Sequence, residues 1–170
     1  DAAMRLRRAR AYLDAEGIEI AHTYVLWSQG ETDGDKGVDA GQYFRNFQEI
    51  WGILREAGAE KCFLIQTGHY NYVKYPCGSK GIKGAELDRR YGVIRRTQQR
   101  MCANACEDRS GQEEGDAFAK VTPLQNVYMV ASFEPYLGMM KDQYHYTQQA
   151  YDEVGETAAE NVALQFIILS

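Results

Sequence analysis

The chain predicts an α/β fold: a parallel β-sheet with helices packed on both faces. Three observations point there. Short apolar runs alternate with longer stretches whose apolar residues recur at helical spacing. One of the runs, "KCFLIQTGHY", is continuously apolar at its start, as a strand buried on both faces should be. The chain has 170 residues, 45% hydrophobic and 25% charged. That is enough for one domain, residues 1–170, with a real core.

Taken in order, "AAMRLRRARAYLDAEG" sets Met4, Leu6, Ala9, Tyr12 and Leu13 near helical spacing, and Gly17 is a natural stop. A strand follows over residues 20–27. "GQYFRNFQEIWGILREAG" is an amphipathic helix whose stripe is Tyr43, Phe44, Phe47, Ile50, Trp51 and Leu54, closed by Gly58. After the second strand, residues 84–106 read as a helix that puts Cys102 and Cys106 on one face. The polar, glycine-containing segment 104–123 reads as an exposed excursion. "NVYMVAS" is the third strand. The last helix, residues 147–166, presents Tyr151, Val154, Ala158 and Val162 on one side, with Thr147 as its N-cap.

Composition excludes several classes of function. The net charge of −5 gives no basic footprint for nucleic acid. No apolar run is long enough to span a bilayer, "VALQFIILS" included. The four cysteines (Cys62, Cys77, Cys102, Cys106) contain no C-x-x-C pair. Buried free thiols, with at most one disulfide, fit better than a metal site. The chain opens on Asp1 rather than Met, so it reads as an excerpt or a processed product.

In a parallel α/β sheet, chemistry sits in the loops after the carboxyl ends of the strands. Three such loops are expected: "SQGETDG", "TGHYNYVKY" and "FEPYLGMMKDQYH". The first is unusual, because Gln29 and Glu31 are not turn formers. The third holds Asp142 and His145, three residues apart. A serine esterase needs a neutral imidazole to take the nucleophile's proton and a carboxylate to fix its tautomer. An Asp-x-x-His in one turn supplies both, although as an isolated motif it is far more often an ordinary solvated loop. Within the second loop, His69 is placed to reach a groove. Tyr70, Tyr72 and Tyr75 could stack on sugar rings, though packing is the commoner fate of tyrosine. His22 lies at the opposite end of its strand and reads as structural.

Trp27-Ser28-Gln29-Gly30-Glu31-Thr32-Asp33 resembles the third sequence block of the SGNH hydrolase superfamily, in its carbohydrate esterase branch. The sialate O-acetylesterases and acetylxylan esterases of that branch have Ser where Thr32 stands. Asp142, His145 and Gly155 match the final Asp-x-x-His block and the early helix glycine behind it. Arg95 and Gln98 match an Arg-x-x-Gln on the preceding helix. The resemblance implies a three-layer α/β/α, flavodoxin-like fold. It implies a serine esterase acting on acetylated carbohydrates, with no metal or organic cofactor, at the cell surface or outside the cell.

It further implies that Asp142 orients His145 and that Gln29 donates to the oxyanion. Gly30 lets the backbone pass closely, and Glu31 holds loops around the site. His69, Arg95 and Gln98 bind substrate or support the site. The family's Gly-Gln-Ser-Asn nucleophile block has no counterpart here. None of Ser28, Ser79, Ser110, Ser132 and Ser170 sits in such an elbow. The expectation is therefore a chain lacking the N-terminal strand or strands of the domain, with a sheet edge left to pair with them. The rival expectation is a non-catalytic carbohydrate-binding or structural domain on an esterase-like fold.

Overall fold

The computed structural model describes residues 1–78, 81–105 and 116–168. Among these residues three strands form one parallel sheet in the order β1-β2-β3: β1 (Tyr24–Ser28), β2 (Lys61–Gln66) and β3 (Val127–Ser132). The central strand β2 is buried along nearly its whole length, as its unbroken apolar run requires. β1 begins later than expected. Residues 20–23 stay outside the ladder, and there the Glu60 carboxylate accepts from the Thr23 N–H (2.9 Å) and contacts His22 Nδ1 (2.9 Å).

Among the described residues there are five α-helices: α1 (Ala2–Ala15), α2 (Glu31–Lys36), α3 (Ala40–Glu56), α4 (Gly84–Met101) and α5 (Gln148–Ile168). Alternate side chains of a strand point to opposite faces, and two cores result. On one face Val25, Trp27, Cys62, Leu64, Val127 and Met129 meet α3 and α4. On the other, Tyr24, Phe63, Ile65, Tyr128 and Val130 meet α5. The layers are thus helix, sheet, helix. A register shift between Leu64 and Ile65 sets one extra residue, Val130, into β3. The Asn161 amide on α5 donates to the Val130 carbonyl at 2.8 Å, so the bulge leaves that group satisfied.

Helix α3 follows its sequence closely. Asp39 caps it by accepting from the Gln42 N–H at 2.9 Å. Tyr43, Phe44, Phe47, Trp51 and Leu54 are buried, but Ile50 is exposed, because no further described element covers the region beside β1. Helix α1 departs further: Ala3 is buried, while Met4 and Tyr12 of the expected stripe face solvent.

Helix α4 ends at Met101, earlier than expected. Cys102 is already extended and bridges Leu124. Asn104 then pairs with Met129 in both directions, at 2.8 and 2.9 Å. The outer edge of β3 claims this stretch, so Cys102 does not continue a helical face. Cys106 lies outside the described residues, as does most of the polar excursion. The part of that excursion that is described is not simply exposed. A 3-10 turn (Asp116–Phe118) buries Phe118, with Val121, in the α3–α4 core, and the guanidinium of Arg100 lies 4.9 Å from the Phe118 ring. Cys62, Cys77 and Cys102 are free thiols, and burial pushes Cys62 and Cys102 up to about 12.

β3 has its outer edge covered by residues 102–104. β1 has no such partner among the described residues, and Leu26 at its centre is 64% exposed.

Candidate active site at the carboxyl ends of the strands

All three parallel strands deliver their carboxyl ends to one end of the sheet. After β1 the chain turns at Gly30, whose φ of +149° is disfavoured for L-residues. A Cβ there would lie 2.8 Å from Ile94 Cγ2 and 3.1 Å from Gln98 Nε2. Gly30 therefore lets the strand end press onto α4. The expected loop then becomes the short helix α2. Glu31 and Asp33 in its first turn suit the positive end of the helix dipole. Gly37, at φ +68°, closes it in the left-handed conformation.

After β3 a 3-10 segment (Glu134–Met139) leads into the turn 140–146. Asp142 organises that turn. Its Oδ1 accepts from the backbone N–H groups of Tyr144 (2.9 Å) and His145 (2.8 Å). His145 Nδ1 lies 2.9 Å from Oδ2 and 3.0 Å from Oδ1. The Tyr144 and His145 amides, together with the imidazole, hold the Asp142 carboxyl down to about 2. An ionised carboxylate only accepts, so Nδ1 carries a proton, and in the neutral imidazole the lone pair is on Nε2. That is the tautomer of a general base.

The turn is fastened from several sides. Lys141 N–H donates to the His145 carbonyl at 2.9 Å, and Met140 bridges Tyr146. Asn71, in the loop after β2, donates its side-chain amide to the Asp142 carbonyl and its N–H to the Gln143 carbonyl, both at 3.1 Å. Tyr146 stacks on Phe133 at 4.8 Å, and its hydroxyl accepts from the His69 N–H at 2.9 Å. Gly68 is required there, because a Cβ would collide with the Tyr146 hydroxyl.

His145 and Glu31 line one cavity of about 290 Å³ together with Thr32, Asp35, Tyr91, Tyr144 and Tyr151. The Asp35 carboxylate accepts from the Tyr91 hydroxyl at 3.2 Å. Burial, reinforced by Asp35, pushes the Tyr91 phenol well above its ordinary range. A larger hollow of about 410 Å³ along α1 is lined by Arg10, Asp14 and Glu19 but by no histidine.

The other expected site residues fall elsewhere. Gln29, expected to donate to the oxyanion, lines a separate cavity of about 340 Å³ with Trp27, Asp33 and Tyr43. Its Nε2 donates to the Asp33 carboxylate at 2.5 Å, because α2 brings residue 33 one turn onward, back over residue 29. Gln98 is fully buried. Its Oε1 accepts from the Thr67 N–H (2.9 Å), and its Nε2 donates to the Gln29 carbonyl (2.6 Å) and the Tyr43 hydroxyl (2.8 Å). It fastens the ends of β1 and β2 to α3.

Arg95 donates to the Gly68 carbonyl at 2.6 Å and lies 3.3 Å from Glu134 and 3.7 Å from Asp88. His69 does not line the cavity; its Nδ1 lies 2.8 Å from Asp88, and both side chains are mostly buried. Tyr70 is fully buried and cannot stack on a ligand, whereas Tyr72 stays partly exposed. The Ser132 hydroxyl donates to Gln66 at 2.6 Å and accepts from the Glu134 N–H, while Ser28 is exposed on β1.

Asp35, Tyr91, Tyr144 and Tyr151 were not expected at the site. Tyr144 sits inside the Asp-x-x-His turn, so its presence beside His145 was readable. Tyr91 and Asp35 meet only through the packing of α2 on α4, where Gly34 lets the helices close against the Tyr91 ring. Comparison of the chain with protein-family models, with curated proteins and with solved structures finds no match.

Proposed function

We propose that the chain carries the acid–base half of a serine esterase that removes acetyl groups from carbohydrates. The observation that carries this reading is the Asp142–His145 pair: Nδ1 is held by a carboxylate, and the imidazole lines a tyrosine-bearing cavity at the carboxyl end of a parallel sheet. In the reaction a serine Oγ attacks the acetyl carbonyl while Nε2 takes its proton. The tetrahedral intermediate collapses, and the imidazolium returns the proton to the departing sugar oxygen. Water then repeats the sequence on the acetyl-serine and releases acetate.

The serine is to be supplied by a further strand joining the open edge of β1. Gln29 can contribute to oxyanion binding only through the amide hydrogen not given to Asp33, or after that pair opens. In a protein that holds the serine, His145→Ala should lower kcat on an acetyl ester by about 10³-fold or more with the fold intact. Near-normal turnover in that variant overturns the role of His145.

A second reading is favoured by the way Gln29 is turned onto Asp33. In that reading the domain binds carbohydrate without hydrolysing it. Binding of an acetylated oligosaccharide with no acetate release, by a form that does hold the serine strand, would select it.

A further inference from the structure

The cavity that holds His145 has a marked charge character. Two carboxylates line it, Glu31 and Asp35, and among the described residues no lysine or arginine does. Asp142 adds a third carboxylate behind the imidazole. The guanidiniums that α4 sends toward this end of the sheet are already matched. Arg90 lies 3.0 Å from Glu86, and Arg95 lies between Glu134 and Asp88. The Asp35 carboxylate accepts from Tyr91, whereas Glu31 has no hydrogen-bond or ion-pair partner among the described residues. Its charge is therefore left for whatever enters the cavity. Beside it, Tyr144 and the partly exposed Tyr151 offer aromatic surface, which suits the C–H faces of a sugar ring or a cation.

We infer that this cavity selects uncharged or amino sugars and rejects sugar acids. The inference rests on the esterase reading and adds to it the charge class of the substrate. A carboxylate-bearing sugar would meet Glu31 and Asp35 with no lysine or arginine among the described lining residues to offset them. A neutral sugar donates its hydroxyls to the same two carboxylates, and an ammonium group pairs with them. A single like-charge contact at 5–6 Å, at a dielectric between that of water and a protein surface, changes affinity by about tenfold.

The test isolates charge on a single sugar skeleton. An O-acetylated uronic acid and its methyl ester are each titrated into the full 170-residue chain, with binding followed by ligand-observed NMR. The ester is expected to bind about tenfold more tightly than the acid. Added salt should narrow that ratio in the unaltered protein. Glu31→Gln combined with Asp35→Asn should bring it close to one. If the double variant does not fold, Glu31→Gln alone should still narrow the ratio. Equal or tighter binding of the acid overturns the inference, as does a ratio that neither salt nor Glu31→Gln moves. Failure of both forms to bind removes the cavity as a sugar site and overturns it too. Acetate release by a serine-bearing form reads the esterase proposal separately: hydrolysis with a preference for acids would leave that proposal standing while this inference fell.

Discussion

Asp142 draws its role from three donors meeting one carboxylate: two backbone N–H groups and an imidazole. Its pKa lies below the ordinary 3.8, at about 2. A carboxyl depressed on folding stabilises the native state above its unfolded pKa, and that contribution is lost as pH falls through the folded one. Asp142→Asn keeps an acceptor for the backbone donors, removes the charge and replaces the oxygen that faces His145 Nδ1 by an NH2 group. The difference in melting temperature between this variant and the parent should therefore be present at neutral pH. It should close as pH falls from 3.8 to about 2. A gap that survives at the acid end would mean that shape rather than charge holds the turn. Gly30 makes a second argument at this scale. Its positive φ and the 2.8 Å approach to Ile94 both oppose a side chain. Gly30→Ala should cost about 2 kcal/mol or more in denaturant unfolding, and a neutral result would show that β1 does not press on α4 as described.

Between elements, the buried amide of Gln98 is the main fastener. It joins the ends of β1 and β2 to α3 through three hydrogen bonds. Replacing it by Leu keeps the bulk and leaves the Thr67 N–H without its acceptor in the core. Gln98→Leu is expected to lower stability by about 3 kcal/mol, read from urea unfolding curves. A loss below about 1 kcal/mol would mean that the strand ends are held by packing alone. Helix α2 belongs to the same scale. It exists because Gly30 starts it, Gly37 ends it and Gly34 lets it lie against Tyr91. Its turn carries Asp33 toward Gln29 and leaves Glu31 and Asp35 to the His145 cavity.

Across the whole molecule the two sheet edges are treated differently. Residues 102–104 and their Asn104 side chain close β3, while β1 exposes Leu26 and has a ladder side unpaired among the described residues. Open apolar edges pair with whatever strand is available. Leu26→Lys should therefore reduce self-association of the chain in sedimentation velocity without shifting its helical circular dichroism. Unchanged association would place the sticky surface elsewhere, for example on the exposed side of α1, where Met4 and Tyr12 face solvent.

Periodicity alone determined the alternation of helix and strand, the buried β2, most of the α3 stripe, and the arrival of Asp142 and His145 in a loop after the last strand. These are local properties: a 3.6-residue or continuous apolar pattern, and a motif whose partners lie one turn apart. Tertiary structure decided what needed two distant segments at once. Whether Gln29 faced a substrate or Asp33 depended on α2 forming, which depended on three glycines finding room against α4. His69 was withdrawn by Asp88, nineteen positions along the chain, and Ile50 was exposed because no further described element covers β1. The tyrosine and carboxylate lining of the His145 cavity was likewise assembled from α2, α4, α5 and the turn between β3 and α5. No spacing in the sequence records those contacts, because they are set by how helices close over a sheet rather than by the order of residues along it.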